Sequence, residues 1–274
     1  MSDFSIPSRA YIIALANQKG GVGKTTTTIN LAAGLAEQGA RVLLVDLDPQ
    51  GNASTGLGIE PAQRHRTTFD LLVEELPVSD VLLETAIPNI WICPANADLS
   101  STDMELVANE KRSFLLRDAL RDPSIGHFGF DFVLIDCPPS LSLLTINALV
   151  ASDSVLVPLQ SEFFALEGLS QLMLTIREVR QAANPDLRIE GIVLTMHDAR
   201  NRLAQQVEND ARENLGELVF RTVVPRNVRV SEAPSYSLPV LAYDSASKGS
   251  EAYRALTGEL LARHPLIGRV REEM

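Results

Sequence analysis

Short, continuous runs of apolar residues alternate with longer amphipathic stretches along almost the whole chain. The apolar runs predict β-strands at residues 11–16, 41–46, 90–93, 131–136, 153–158, 188–195 and 219–224. Apolar residues at helical spacing predict helices at residues 25–38, 67–75, 98–107, 110–121, 141–150, 162–183, 199–215 and 247–263. Strands that are apolar on both faces are typical of a parallel sheet covered by helices on both sides. The alternation therefore predicts an α/β fold with a doubly wound, mostly parallel sheet flanked by helices.

A glycine-rich segment, residues 19–25 (Lys-Gly-Gly-Val-Gly-Lys-Thr), follows the first predicted strand and leads into the first helix. We call it the phosphate loop, because glycines let successive N–H groups face phosphate oxygens and the helix N-terminus adds positive charge. We expect Lys24 to reach the β- and γ-phosphates and the Thr25 hydroxyl to ligate Mg²⁺. The expected nucleotide-binding residues of this segment are Gly20, Gly21, Val22, Gly23, Lys24, Thr25 and Thr26.

The phosphate loop departs from the standard pattern at its start. Gln18 stands where the first glycine of the motif normally lies, and Lys19 adds a second lysine. A cation at this position is costly unless it also meets a phosphate, so we expect Lys19 to do so.

Aspartates follow two of the predicted strands. Asp46 and Asp48 come at the end of the second strand, and Asp136 ends the strand at 131–136. A carboxylate held at a strand end suits a Mg²⁺–nucleotide site, usually through a water molecule, and we expect Asp136 to act in this way. We expect Asp46 and Asp48 to face opposite directions. Asp48 then orients the attacking water and Asp46 braces the loop lysines, although the two roles could be exchanged.

Composition limits the possible classes of protein. The 274 residues, 45% of them hydrophobic, predict one domain over residues 1–274, with short tails at 1–9 and 266–274. Apolar runs of about six residues are too short to span a membrane. Two cysteines suggest no disulfide framework and favour the cytoplasm. A net charge of −11 argues against a protein that coats nucleic acid, but it leaves room for a local basic patch.

Four motifs in order resemble those of the deviant Walker-type P-loop NTPases, and within them the ParA/Soj chromosome- and plasmid-partition ATPases. The similar segments are residues 19–25, 46–52 (DLDPQGN) with 136–139 (DCPP), 191–196 (GIVLTM) and 224–235 (VPRNVRVSEAPS). The resemblance covers about residues 10–263. It implies an ATPase that uses ATP and Mg²⁺, with Lys19, Lys24 and Asp48 as its catalytic residues.

The resemblance also implies partners. ATP-bound members form a sandwich homodimer in which Lys19 would reach the partner subunit's phosphates. The dimer binds double-stranded DNA without sequence specificity, and a ParB-type centromere-binding protein stimulates hydrolysis and release. This implies a cytoplasmic, nucleoid-associated protein with no membrane partner.

Basic residues in the C-terminal half are the candidates for DNA contact: Arg200, Arg202, Arg229 and Lys248. Residues 221–231 hold three arginines and no acid, which predicts a local basic patch. No aromatic residues interleave with these cations, so duplex phosphates suit them better than single-stranded bases. The resemblance implies nucleotide contacts at Met196, Pro225 and Arg226, with Pro225 and Arg226 framing the adenine as an alternative to DNA contact by Arg226.

Three alternative functions remain open at this level. A membrane-associated MinD-like ATPase needs a basic amphipathic C-terminus, but Pro265 and Gly268 interrupt residues 263–274. Iron-protein relatives hold a cluster with two cysteines per subunit, and this chain has Cys93 and Cys137. A nucleotide-dependent binding module would show no meaningful turnover, and no arginine finger is evident in cis.

Overall fold

One β-sheet runs through the part of the chain that the computed structural model describes, residues 9–162 and 165–264, with the backbone alone at 165–167. Phe163 and Phe164 lie outside this range, as do residues 1–8 and 265–274, which hold nearly all of the predicted tails. The strands are β1 (Tyr11–Leu15), β2 (Val42–Asp46), β3 (Leu83–Glu84), β4 (Ile90–Cys93), β5 (Phe132–Asp136), β6 (Ser154–Gln160), β7 (Arg188–His197) and β8 (Val219–Pro225).

The order of strands across the sheet is β3-β4-β2-β5-β1-β6-β7-β8. Every neighbouring pair is parallel except β3 with β4, which is antiparallel. The seven predicted strands are confirmed, and the doubly wound α/β class with them. The sequence analysis missed β3 because two residues at a sheet edge carry no hydrophobic pattern.

Twelve α-helices lie in the described ranges. They are α1 (Lys24–Glu37), α2 (Asn52–Gly56), α3 (Thr68–Val73), α4 (Val78–Val81), α5 (Thr102–Glu105), α6 (Leu115–Leu120), α7 (Leu143–Ala151), α8 (Ala165–Ala182), α9 (Arg202–Leu215), α10 (Val228–Glu232), α11 (Val240–Tyr243) and α12 (Lys248–Arg263). The sequence analysis missed α2, α4, α10 and α11, since helices of four or five residues are too short to show helical periodicity.

Three predicted helices are wrong in extent. The segment predicted as a helix at 98–107 is divided between a 3₁₀ turn, Ala97–Ser101, and the short α5. The next helix begins only at Leu115, because the Asn109 side chain accepts a hydrogen bond from the Lys111 N–H and stabilises a turn. Similarly, α9 starts at Arg202, where the Asn201 side chain caps it, so Arg200 lies in the preceding loop.

The core lies on both faces of the sheet, which explains the continuous apolar runs. Ile12 and Ala14 pack into one buried cluster, whereas Ile13 and Leu15 pack into the other. The same alternation holds along β5. Because successive side chains of a strand point to opposite faces, a strand covered on both sides has to be apolar throughout.

A buried polar cluster joins the amino ends of β1 and β6 to β7 and the end of α12. Glu190 accepts hydrogen bonds from Tyr11 Oη (3.3 Å) and Ser154 Oγ (2.7 Å), and His264 Nε2 lies 3.1 Å from its carboxylate. Burial alone would raise the pKa of Glu190, but the hydrogen bonds from His264 and Ser154 and the His264 charge hold it below its usual value. The cluster therefore links the end of α12 to the amino-terminal edge of the sheet, opposite the edge where Asp46 and Asp136 lie.

We expect Glu190→Gln to lower the free energy of unfolding at pH 7 by about 2 kcal/mol, because it weakens hydrogen bonds to a charged group. Since the folded-state pKa lies below the unfolded one, this stabilisation is complete above the unfolded pKa and is lost as the pH falls through the folded one. Urea titrations at decreasing pH should show wild type and variant converging in acid. Glu178→Gln, at an exposed residue of α8, is the control. A gap that stays constant at every pH would contradict the assignment.

Candidate nucleotide-binding site

Three neighbouring strands end at the same level of the sheet and bring the motifs together. In the strand register Leu15 pairs with Asp136, and Asp136 pairs with Asp46. The phosphate loop follows β1, so it lies at the edge of the sheet where β2 and β5 end in Asp46 and Asp136. Ligands of open α/β sheets bind at this edge.

The phosphate loop has the backbone shape that its glycines allow. Gly21 and Gly23 have φ angles of 72° and 84°, in the left-handed region that favours glycine. Gly23 caps α1, whose first turn contains no acidic residue to compete with a bound anion. The buried Lys24 ammonium donates to the Lys19 carbonyl oxygen at 3.0 Å. Burial lowers the pKa of Lys24, while the charges of Asp136 and Asp48 oppose that shift.

Asp136 is wholly buried beside the loop. One carboxylate oxygen, Oδ1, accepts from Thr28 Oγ1 at 3.0 Å. The other, Oδ2, has no well-aligned hydrogen-bond partner among the described residues, although the Thr25 hydroxyl is near enough to affect the carboxyl. Burial and the charge of Asp46 raise the pKa of Asp136, against the effect of the two threonine hydroxyls.

The oxygen atoms of Asp136 and Thr25 are suitable ligands for a magnesium ion. A buried carboxylate oxygen without a partner, next to a threonine hydroxyl at a phosphate loop, is suited to a hydrated Mg²⁺. Within the described ranges, no group of three His, Cys, Asp or Glu side chains forms a metal cage. Magnesium at nucleotide sites rarely needs such a cage, because substrate phosphates and water supply most of its ligands.

Asp46 and Asp48 do not face opposite ways, contrary to the sequence-based expectation. The charges of both raise the pKa of Asp136, and Asp48 also acts on Asp46. Residues two apart on an extended segment lie on the same side, so the carboxylates converge.

The contacts of Asp46 lie in the segment that follows it. Its carboxylate accepts from Ser54 N (2.9 Å), Ser54 Oγ (2.7 Å) and Asp48 N (3.2 Å). These bonds connect β2 to α2 and the turn before it, rather than to the loop lysines. The bracing role proposed for Asp46 therefore applies to this segment.

Lys19 is paired outside the phosphate loop. Its Nζ lies 2.8 Å from Glu162 Oε2, and both side chains are partly exposed. The Lys19 backbone N–H donates to Asn17 Oδ1 at 3.0 Å, which fixes the start of the loop.

A cavity of about 620 Å³ opens beside the loop, a size typical of small-ligand sites. Three of the predicted nucleotide contacts, Met196, Pro225 and Arg226, line it together with Gly23 and Thr26. Met196 has a φ of 49°, which is uncommon for a residue other than glycine. The structure thus joins the end of β7 and the end of β8 to the phosphate loop.

The candidate DNA-binding cations are all exposed, but acids accompany two of them. Arg200 Nε lies 3.1 Å from Asp198 Oδ1. Arg229 is paired with Glu232 at 3.0 Å and with Asp244 at 3.2 Å. The acid-free stretch of sequence at 221–231 is therefore not an isolated basic patch in the folded protein.

A second cavity, of about 700 Å³, brings some of these cations together. Arg200, Arg226 and Lys248 line it with the acids Asp198 and Glu251. Arg202 and Arg229 are not among its lining residues. Of the four DNA-binding candidates, Arg200 and Lys248 thus share one cavity.

Several residues of the site escaped the sequence analysis. The Thr195 hydroxyl donates to the Val22 carbonyl oxygen at 2.8 Å, and Asn17 Nδ2 donates to the Pro158 carbonyl oxygen at 2.8 Å. Asn17 and Ser54 are polar residues close to motifs, and this position could have indicated a role in the site. Arg64, which contacts the segment after β2, lies outside every motif, so no sequence signal could have indicated it.

Cys93 and Cys137 are free thiols buried in the core. Burial raises the pKa of both. A cluster shared between subunits requires accessible thiolates, so these positions do not support the iron-protein alternative.

Known proteins share both the motifs and the fold. A family model described as an AAA domain matches residues 10–189. The chromosome partitioning protein ParA of Caulobacter vibrioides is 55% identical over 92% of this chain and 94% of its own. The sporulation initiation inhibitor protein Soj of Bacillus subtilis is 51% identical over 92% of this chain and 98% of its own. The chain belongs to the ParA/Soj family of chromosome-partitioning ATPases.

Solved structures agree with this ParA/Soj assignment. A cobyrinic acid a,c-diamide synthase from Mycobacterium smegmatis with a bound ATP analogue and magnesium is 39% identical, with a TM-score of 0.82 over 95% of this chain and 97% of that chain. The cell division ATPase MinD of Pyrococcus furiosus is 27% identical, with a TM-score of 0.75 over 93% and 99%. The chain is a P-loop ATPase, and its structural homologues bind ADP or an ATP analogue with magnesium.

The helices at residues 9–162 and 165–264 include none that is both long and apolar enough to cross a bilayer.

We expect Lys24→Ala to weaken ATP binding about a hundredfold, because about 3 kcal/mol of charge-assisted hydrogen bonding to phosphate is lost. Isothermal titration with ATP and Mg²⁺ measures this directly. Lys111→Ala, which removes an exposed lysine far along the chain, should bind as wild type does. Normal affinity in Lys24→Ala would mean that the nucleotide site is elsewhere.

Proposed function

We propose that this chain is an ATP-switched DNA-partitioning protein for chromosome or plasmid segregation. Its ATP-bound sandwich dimer binds nonspecific duplex DNA, and hydrolysis stimulated by a ParB-type partner releases it. The observation that carries the proposal is the phosphate loop with two lysines at the strand ends of Asp46 and Asp136, in a chain 55% identical to a chromosome partitioning protein. The protein is then cytoplasmic and nucleoid-associated.

The proposed nucleotide site uses the residues already described. Gly20 to Thr26 bind the phosphates, with the base in the cavity lined by Met196, Pro225 and Arg226. Lys24 exchanges its bond with the Lys19 carbonyl for phosphate oxygens. Thr25 would hold Mg²⁺ directly and Asp136 would hold it through water. When bound, Mg²⁺ neutralises charge on the β- and γ-phosphates.

Asp48 is the proposed water-orienting residue. It is 8% exposed, and its Oδ1 accepts from the Gln50 N–H at 3.0 Å, which leaves its second oxygen for the attacking water. Asp46 has its carboxylate engaged by Ser54 and Asp48, so it is less suited to that task. The contacts thus favour the assignment of Asp48 over the exchanged one.

Lys19 is the proposed dimer contact. Its ammonium pairs with Glu162 rather than with Asp48 or Asp136, so it can reach outward to the phosphates of a second subunit. An exposed ion pair contributes about 1 kcal/mol or less, and two or three phosphate charges compete with it easily. ADP lacks the terminal phosphate, so the dimer weakens after hydrolysis.

DNA binding is proposed for Arg200, Arg202, Arg229 and Lys248. The pairs of Arg200 with Asp198 and of Arg229 with Glu232 and Asp244 are exposed, and such pairs are weak enough for DNA phosphates to displace. In the dimer, two copies of each cation would lie on one assembly. Binding through phosphates releases counterions, so affinity should fall steeply with salt.

We expect Asp48→Ala to bind ATP and dimerise but to hydrolyse ATP at least about tenfold more slowly, because the water loses its orienting carboxylate. Steady-state phosphate release, with light scattering for the dimer, separates these steps. Asp98→Ala, an exposed aspartate in a different turn, is the control. Normal turnover in Asp48→Ala would transfer the role to Asp46 or another group.

We expect the wild-type protein to bind a long nonspecific duplex with ATP, and not with ADP or without nucleotide. Binding should disappear between low and high salt, and Arg229→Glu should reduce it about tenfold or more, since phosphate contacts are replaced by repulsion. Filter binding or fluorescence anisotropy at two salt concentrations measures this.

Arg117→Glu is the matched control for charge. Arg117 lies on α6. Just after that helix, Arg121 donates to the carbonyl oxygen of Ala10, which precedes β1, so this end of α6 lies away from the phosphate loop. Equal losses in both variants would indicate a general charge effect. No DNA binding in any nucleotide state would overturn the proposal and make liposome binding, as expected of a MinD-like protein, the next assay.

A further inference from the structure

Arg64 forms a fork of hydrogen bonds with the segment after β2. Its Nε and Nη2 donate to the Ile59 carbonyl oxygen at 3.1 and 2.7 Å. Nη2 also donates to Thr55 Oγ1 at 2.7 Å, and Nη1 donates to the Ala95 carbonyl oxygen at 3.1 Å. One guanidinium thus joins three pieces of chain that follow β2 and β4.

The guanidinium lies directly against Gly51. A Cβ atom at Gly51 would come within 2.3 Å of Arg64 Nη1, and the residue has a φ of 62°. Thr55 Oγ1, which accepts from Arg64, donates in turn to the Gly51 carbonyl oxygen at 3.0 Å. Arg64 therefore holds Gly51 both by direct packing and through Thr55.

Gly51 closes the turn that carries Asp48. Its N–H donates to the Asp48 carbonyl oxygen at 2.8 Å, and the Gln50 N–H donates to the Asp48 carboxylate at 3.0 Å. A displacement of Gly51 would therefore move the Asp48 side chain. Thr55 also lines a small cavity with Thr25 and Thr26, so this turn adjoins the phosphate loop.

The inner side of the same segment has its own anchor. Ser54 Oγ donates to Asp46 and accepts from the Ala95 N–H at 3.0 Å. Asp46 and Ser54 thus hold one side of the turn, and Arg64 and Thr55 hold the other. Because the buried anchor remains when Arg64 is replaced, the fold should survive its loss.

We propose that Arg64 is a positioning residue for ATP hydrolysis, which holds the Asp48–Gly51 turn, through Gly51 and Thr55, in the geometry that orients the attacking water. The inference rests on the role proposed above for Asp48. Arg64 contacts neither the phosphate loop nor the base cavity, so its effect is on turnover and not on nucleotide affinity.

A lysine cannot replace this arginine. The guanidinium places donors in a fixed planar fork, and here they meet acceptors in different directions. An ammonium would keep the charge near Asp46 but could not bond Ile59, Thr55 and Ala95 together. Arg64→Lys therefore keeps the positive charge but removes the planar set of hydrogen bonds.

The experiment compares Arg64→Gln, Arg64→Lys, Thr55→Val and Thr55→Ser in the full chain. For each protein, kcat and KM for ATP come from steady-state phosphate release with Mg²⁺, and thermal melting reports the fold. Arg66→Gln is the matched control, because Arg66 lies two residues away and pairs with the exposed Asp80.

The expected result is a kcat about tenfold lower in Arg64→Gln, Arg64→Lys and Thr55→Val, with KM within about twofold of wild type, since small misplacements of a catalytic group are costly. Thr55→Ser retains the hydroxyl and should keep most of the activity. The double variant Arg64→Gln/Thr55→Val should lose little more than either single one, because both belong to one network. Arg66→Gln should match wild type.

A normal kcat in a folded Arg64→Gln would overturn the inference, and so would losses confined to KM. If Arg64→Gln fails to fold, Thr55→Val decides in the same way. Asp48→Ala, measured in parallel, separates this failure from that of the proposed function. Slow turnover in Asp48→Ala with normal turnover in Arg64→Gln rejects only the inference, whereas normal turnover in Asp48→Ala rejects the role of Asp48 itself.

Discussion

The convergence of three carboxylates at one edge of the sheet is the constraint on which this site depends. Asp46, Asp48 and Asp136 lie close enough for their charges to affect one another, in a region with little water. Burial is the largest cause of the raised pKa of Asp46, about 6, and the charge of Asp48 adds to it. Lys24 offsets part of this charge. A protein that keeps such a group of acids together stores an electrostatic cost, which a bound divalent cation would reduce.

Hydrogen-bond donors around the carboxylates fix their positions without removing their charge. Ser54 donates to Asp46, Thr28 donates to Asp136, and the Gln50 N–H donates to Asp48. Cations flank the group on two sides. Lys24 lies on the side of the phosphate loop, and Arg64 lies on the side of the segment after β2. Burial lowers the pKa of Arg64, and the charge of Asp46 opposes that shift. The hydrogen-bond donors determine the position of each carboxylate. In the proposal above, Arg64 and Thr55 hold the turn from Asp48 to Gly51 in place.

A second theme, under the proposed function, is the exchange of carboxylate partners for phosphates. Lys19 pairs with Glu162, Arg200 with Asp198, and Arg229 with Glu232 and Asp244. Each pair is exposed and therefore weak, so it keeps a cation in a defined place at small energetic cost. A protein of net charge −11 can in this way hold its cations ready for nucleotide or DNA phosphates while presenting an acidic surface overall. The strength of phosphate binding then depends on local competition and on salt, rather than on net charge.

The sequence by itself determined the sheet, the phosphate loop and the aspartates at the strand ends. Two-sided burial requires continuous apolar runs, and a glycine-rich Gly-Lys-Thr segment between a strand and a helix has the pattern of a phosphate loop. Through a resemblance rather than through pattern, the sequence also predicted nucleotide contacts at Met196, Pro225 and Arg226, which line the cavity beside the phosphate loop. Only the tertiary structure showed that Asp244 accompanies Arg229 and that Arg64 packs on Gly51. These contacts join residues whose spacing carries no periodic signal. Local patterns record which face of an element is buried, but the partner of a polar side chain is decided by how the elements pack.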